Sequence, residues 1–435
     1  MGNSRGLALS LLIVVVCNGS ANAQFGAQLT GVGAINRSMG GTSTAAPLDT
    51  LGAFQWNPAT ITALRNSADM GVEILLPHSQ LSSTVAPGAL GAGSPGLSGT
   101  DKSNSGAFPL PEFGFVYRPD ESPISYGLGV LSVGGFSSNF PGNPANPILS
   151  PTPPAGVGLG PISAQYALMQ ILPTVAIQAT EQLSIGFSPI IDMASLNVDP
   201  GVVAAPDAAG GGFPTYPPLT HGTYQWGAGF QAGAFYVTDK CWQFGASFKS
   251  PQWFNSFQYN SENQVGAPRN IKLLVNAPMI VSLGTAYTGF QRTLLAVDAR
   301  YIGYGSTQPF SASGFAPTGA VNGLGWSDIF AVSTGAQYEL TTALAVRAGY
   351  SFSTNPISNA NTFFNIATPL TIQQGIYCGG SYNVTEHFKL SLAYAHFFNN
   401  SISGPWMSGA GPIAGTNVST TSSADSIIAG ATFMF

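Results

Sequence analysis

The ten residues from Ser426 to Phe435 repeat with a period of two. Phe435, Phe433, Ala431, Ala429 and Ile427 share one face of an extended strand, because successive side chains of a strand point to opposite faces. A strand ending on an aromatic residue with no polar tail is expected to be the closing strand of a membrane barrel. In lipid every backbone N–H and C=O must be paired, so strands cross a bilayer only as a closed sheet.

The opposite end of the chain has the marks of export. Arg5 supplies a positive start, Leu7 to Cys17 an apolar core, and Ala21-Asn22-Ala23 a small-residue cleavage site. Residues 1–23 are therefore expected to be a signal peptide, with Gln24 the first mature residue. Lipidation at Cys17 is the alternative, disfavoured by Val16 where a small residue is wanted.

Composition fits strands rather than helices as the crossing elements. Only 7% of residues are charged, against about 25% in ordinary soluble proteins, so something other than water is expected to cover much of the surface. Beyond the signal segment no run of 18 apolar residues occurs, as a spanning helix would need. The formal net charge of −5 offers no basic patch for nucleic acid. Cys241 and Cys378 lie far apart, outside any metal-ligand spacing, and are expected to be free thiols.

Connections alternate between tight and long. Tight polar turns fall at 119–122, 180–182, 238–240, 340–342 and 383–386, with a less polar one at 288–291. Connections rich in Gly, Pro, Ser and Asn cover roughly 82–111, 135–163, 193–222, 252–270, 303–327, 354–370 and 399–424. Short inner turns and long outer loops are the rhythm of an outer-membrane barrel. About 14 strands fit between them, over 68–435. In 242–249, Trp242, Phe244, Ala246 and Phe248 oppose Gln243, Gly245, Ser247 and Lys249; in 329–339, Phe330, Val332 and Tyr338 oppose Ser333, Gly335 and Gln337. The expected fold is all-β: a transmembrane antiparallel β-barrel whose apolar face meets lipid and whose polar or small face lines the lumen.

Residues 24–67 do not alternate and are too apolar for a solvated tail. A lumen of about 14 strands is too wide for its own side chains to fill. The segment is therefore expected inside the barrel, as an N-terminal hatch.

The Gly-rich start, Asp49 and then Asn57-Pro58-Ala59 resemble the hatch of the FadL/TodX-type outer-membrane transporters of long-chain fatty acids and hydrocarbons. The likeness continues in family order through Tyr117-Arg118-Pro119, Gly227-Ala-Gly229, Thr238-Asp239-Lys240, Trp326-Ser-Asp328, Val346-Arg347-Ala-Gly349-Tyr350 and Leu392-Ala-Tyr394. This resemblance implies a 14-stranded barrel in the outer membrane, generally monomeric and in contact with lipid and lipopolysaccharide. It also implies passive uptake of a hydrophobic small molecule, most readily a long-chain fatty acid, without a cofactor. The hatch, with Asp49, Asn57, Pro58 and Ala59, is then the gate. The third strand, whose Gly127, Gly129, Gly134 and Gly135 relax pairing, is then a candidate for sideways release into the membrane; purely structural bends explain these glycines equally well.

A fatty-acid carboxylate in an apolar pocket needs a cation, since a lone buried charge is costly. By alternation Arg347 and Arg300 face the lumen, as does Asp298. Lys249, Arg269 and Lys272 are expected near the outer ends of strands seven and eight, where ligand arrives. Alternatively, the lumenal charges pair with one another and with Asp49 and Arg65 of the hatch. Phe54 and Trp56 are either hatch core or ligand-facing. Two other classes compete: an enzyme, although the four histidines sit in no nucleophile motif, and a diffusion porin, although charges for a wet eyelet are few.

Overall fold

The computed structural model describes residues 25–435, so the expected signal peptide lies outside the described residues. Fourteen antiparallel strands close into a barrel. The first seven are β1 (Ser67–Val85), β2 (Phe108–Tyr117), β3 (Ile124–Phe140), β4 (Ile162–Gln178), β5 (Leu183–Asp199), β6 (Gln225–Val237) and β7 (Trp242–Lys249). The others are β8 (Ile280–Tyr287), β9 (Thr293–Ile302), β10 (Ile329–Glu339), β11 (Leu344–Ser353), β12 (Gln374–Asn383), β13 (Phe388–Gly404) and β14 (Thr416–Met434). The ring closes through β1, which pairs with β14 from Ser67↔Met434 to Val85↔Thr416 and with β2 from Ser67↔Val116 to Leu75↔Phe108.

Alternation sets the two faces. Phe330, Val332 and Tyr338 of β10, and Ile427 and Phe433 of β14, are exposed on the outside, while Ser333, Ser426 and Thr432 are buried within. Cys241 and Cys378 are exposed and unbonded.

Several strands run past the boundaries expected from sequence. β1 and β14 have 19 residues and β3, β4, β5 and β13 have 17, whereas a crossing takes about 9–11. The excess raises the wall beyond the bilayer. There neither face meets hydrocarbon, so selection for alternating apolar side chains lapses, and Ser/Thr-rich stretches such as 416–423 of β14 look like loop.

A second departure concerns the β7–β8 connection. It runs to Met279 and carries its own hairpin, Phe257–Glu262 with Pro268–Leu273. Arg269 and Lys272 belong to this outer hairpin and not to the ends of β7 or β8. A short outer hairpin has the same local pattern as a wall strand, so sequence alone does not separate the two.

Residues 25–66 lie inside the ring, and nearly all from Phe25 to Thr62 are buried. They form helix α1 (Ala34–Ser38), helix α2 (Thr50–Trp56) and a 3₁₀ turn, Pro58–Ala63. Asp49 starts α2 as a cap, its Oδ1 accepting the Gly52 N–H at 3.3 Å. Asn57 ends α2 in an extended conformation and caps the next turn through Ala59 N–H at 3.1 Å, with Pro58 at the first position, where its missing N–H costs nothing.

Candidate functional site

The hatch is fastened to the wall by charge and by close backbone approach. Arg37 of α1 is fully buried against Glu73 of β1, with Nε donating to Oε2 at 3.0 Å and Nη2 also paired to the carboxylate. Its guanidinium also donates to Thr30 and lies 5.3 Å from the Phe397 ring centroid. Glu112 of β2 is buried nearby. A buried charge of this kind is tolerated only when paired, and removing one partner is far more costly than the pair is stabilising.

A second fastening involves Asp298 of β9. Its Oδ2 accepts the Ser43 N–H at 2.9 Å, the Thr44 N–H at 3.0 Å and the Thr44 hydroxyl at 2.8 Å, and Arg300 at 2.6 Å. The Arg300 guanidinium then covers Trp56, 3.7 Å from a ring centroid, and donates to Gly41 O. Asn57 Nδ2 reaches both Thr44 O at 2.7 Å and Ala234 O of β6 at 3.0 Å. Pro58 and Ala59 pass so close to Gly186 of β5 that a Cβ there would collide with their backbone.

Phe54 and Trp56 are thus hatch core, buried to 0% and 2% exposure. Gly127 and Gly129 receive the Phe54 ring: a Cβ at Gly127 would lie 2.6 Å from Cζ. Arg347 is held by Gln337 at 2.7 Å and Ser381 at 2.7 Å, and Lys249 donates to Gln170 at 3.0 Å. Arg269 pairs with Asp207 at 3.6 Å and bonds Ala205 O, while Lys272 is exposed.

Below the hatch, toward the tight turns, lies a polar vestibule of about 800 Å³ lined by Asp49, Asp69, Arg65, Glu386 and Lys389 among others. Burial raises the Asp49 carboxyl, with the nearby Asp69 adding to it, to about 7.

Above the hatch the lining changes. A cavity of roughly 90 Å³ is walled by apolar groups from scattered segments, including Leu196, Val275, Phe310, Trp326 and Leu370. A second apolar chamber of about 220 Å³ lies further out and shares Val202, Phe364 and Ala367 with it. Among the described residues no charged one lines either chamber. An apolar cavity stays dry and takes apolar occupants.

The wall itself is interrupted beside this cavity. β2 and β3 pair only from Tyr117↔Tyr126 to Glu112↔Leu131. Just above, the β3–β4 register shifts between Ser132 and Gly134, leaving Val133 out of the ladder. The freed Val133 carbonyl accepts Leu29 N–H of the hatch at 2.9 Å, and Gln28 bridges to Gly134. Among the described residues the upper part of β3 therefore has no strand paired to it on its β2 side. Above the gap the short strand Leu97–Lys102 pairs with β1, and the residues after it close the top through Ser103 N–H to Ser79 O at 2.8 Å, Asn104 N–H to Asn139 O at 2.7 Å and Asn139 N–H to Ser103 Oγ at 2.9 Å. In the resulting window sits a pocket of about 30 Å³ between Leu75, Pro77 and Ser79 of β1 and Gly135, Phe136 and Ser137 of β3.

Sequence reasoning placed Arg300 and Arg347 inside but missed the Arg37–Glu73 pair. Its signal was available: Asp69 and Glu73 alternate with the exposed Met70 and Val72, so they face inward. The cavity had no local signal, because its walls come from many separate segments.

No curated protein sequence matches significantly. Among solved structures, the Pseudomonas putida toluene transporter TodX superimposes with TM-score 0.67 at 17% identity, covering 93% of this chain and 99% of that one. The Ralstonia pickettii toluene transporter TbuX gives 0.66 at 16%, covering 93% and 99%. A Pseudomonas aeruginosa FadL homologue gives 0.67 at 14%, covering 94% and 100%. The family model for outer membrane protein transport protein (OMPP1/FadL/TodX) matches residues 12–435. The chain belongs to the OMPP1/FadL/TodX family, outer-membrane β-barrels that transport hydrophobic substrates.

Proposed function

We propose that this barrel, acting as a monomer among lipopolysaccharide and lipid, takes up small uncharged hydrophobic molecules and releases them sideways through the window between β1 and β3, above the end of β2. The outer chamber collects the ligand, the 90 Å³ cavity holds it, and the hatch keeps the route from leaking into the vestibule. In this reading Gly134 and Gly135 serve release, whereas Gly127 and Gly129 seat the hatch. Asp49, Asn57, Pro58 and Ala59 hold the gate in place.

The observation that carries the reading is the uncharged lining of both chambers and of the window pocket. A fatty-acid carboxylate would have to lose its hydration with no cation in the wall, and Lys249, Arg269, Arg300 and Arg347 are each already engaged by other groups. The toluene transporters among the structural relatives add weight to a neutral ligand.

Uptake of labelled toluene and labelled oleate into cells displaying the protein tests this. Toluene uptake well above oleate is expected. Oleate uptake equal to or above toluene would move the assignment to fatty acids. Uptake of neither, with free passage of small sugars, would make the protein a diffusion porin.

A further inference from the structure

The connection between β11 and β12 does not stay outside the barrel. Its segment 367–372 passes behind the window, and its bonds to the wall span that window. On one side Ser138 of β3 donates to Ala367 O at 2.5 Å. On the other, Ser422 of β14 donates to Pro369 O at 2.6 Å, and Asn400 of β13 donates to Thr371 O at 2.8 Å. The chain thus forms a bar across the inner mouth of the opening, anchored to strands that are not its own neighbours in sequence.

The side chains on this bar meet the cavities in order. Phe364 and Ala367 face both chambers, and Pro369, Leu370 and Ile372 face the window pocket. Among the described residues only two line both the holding cavity and the window pocket: Leu370 on the bar and Phe136 on β3. These two side chains stand at the boundary of the two spaces. Both are apolar and neither carries a hydrogen-bonding group, so they discriminate by size and shape.

We propose that Leu370, opposed by Phe136, is the size-selecting aperture of this transporter, and that segment 367–372 is the bar that sets its width. The proposal rests on the lateral route described above. It adds a selection step that is separate from capture and from the hatch. Shortening residue 370 widens the passage toward the window without altering the outer chamber, and enlarging it blocks the passage.

The test uses the full-length protein in proteoliposomes, with toluene and naphthalene as probes. Leu370→Ala is expected to raise the naphthalene-to-toluene rate ratio about fivefold or more. Leu370→Trp is expected to lower both rates about tenfold, while toluene binding to the detergent-solubilised protein stays within about twofold of wild type. Ser138→Ala loosens the bar without touching the aperture side chains, and is expected to shift the ratio in the same direction as Leu370→Ala, by less. Unchanged ratios in all three variants, with a transporting wild type, would overturn the aperture while leaving the route intact. A wild type that transports neither probe would overturn the route itself.

Discussion

The two halves of the lumen are built from opposite materials. Below the hatch is a vestibule of about 800 Å³ with both signs of charge on its walls; above it, the linked chambers carry none. The hatch is what separates them, and its fastenings follow the same division. Its helical part is held by buried charges, Arg37 on Glu73 and Ser43–Thr44 on Asp298. Its first residues are held without charge, by backbone bonds of Leu29 to Val133 and Gln28 to Gly134, by the Tyr304 hydroxyl bridging Phe25 and Ala27, and by burial of Leu29 among Leu75, Leu110 and Ile372. The plug is thus gripped by charge on the vestibule side and by neutral contacts beside the window.

The contrast can be broken from either side. The largest effect is expected from Arg37→Ala, which leaves Glu73 buried and unpaired, a loss of about 3–5 kcal/mol. Hydrogen exchange of hatch amides should accelerate about 10²- to 10³-fold, and small sugars should begin to leak in liposome swelling. Retained protection would show that the pair does not hold the plug.

Placing a charge in the dry half comes next. Leu324→Asp puts a carboxylate into the wall of the cavity, and toluene uptake should fall at least about tenfold with hatch protection unchanged. Unaltered uptake would mean that ligand does not use this cavity. Thr44→Val should remove the hydroxyl's bond to the Asp298 carboxylate, a loss of about 1.5–3 kcal/mol for a hydrogen bond to a charged acceptor, seen as faster exchange near residues 43–44.

A pH effect follows from Asp49. Its folded carboxyl titrates at about 7 and its unfolded one near 3.8, so between these values only the unfolded form gives up its proton. Hatch stability therefore falls as pH rises from about 4 to 7 and is flat beyond. Asp49→Asn retains a cap but removes the ionisation, and thermal unfolding should lose this slope. The smallest effect belongs to Lys272→Ala: the side chain is exposed on the outer hairpin, so stability should move by less than about 0.5 kcal/mol, with uptake unchanged.

The barrel was legible where lipid imposes alternation, as in β7 and β10, and illegible where that pressure stops. Trp242, Phe244 and Phe248 announce their strand, whereas the Ser/Thr-rich outer half of β14 does not. Inward cations were legible for the same reason, since Arg300 and Arg347 fall opposite outward apolar residues. Asp298, two residues away on the same face, was an equally legible partner of Arg300, whereas Gly41 reaches it only through the folding of the hatch. The window was half legible: Gly134 and Gly135 marked the strand, but the register shift at Val133 depends on where β2 ends.

The seam between β1 and β14 has a consequence for assembly. It joins strands drawn from opposite ends of the described chain along 19 paired positions, and β1 follows directly on the hatch. Arg37 and Glu73 lie 36 residues apart, whereas the seam joins Ser67 to Met434, so the hatch can meet its grip before the ring is shut. A stopper held by the strand next to it in sequence is one that a cylinder can be wrapped around, with no need to thread it.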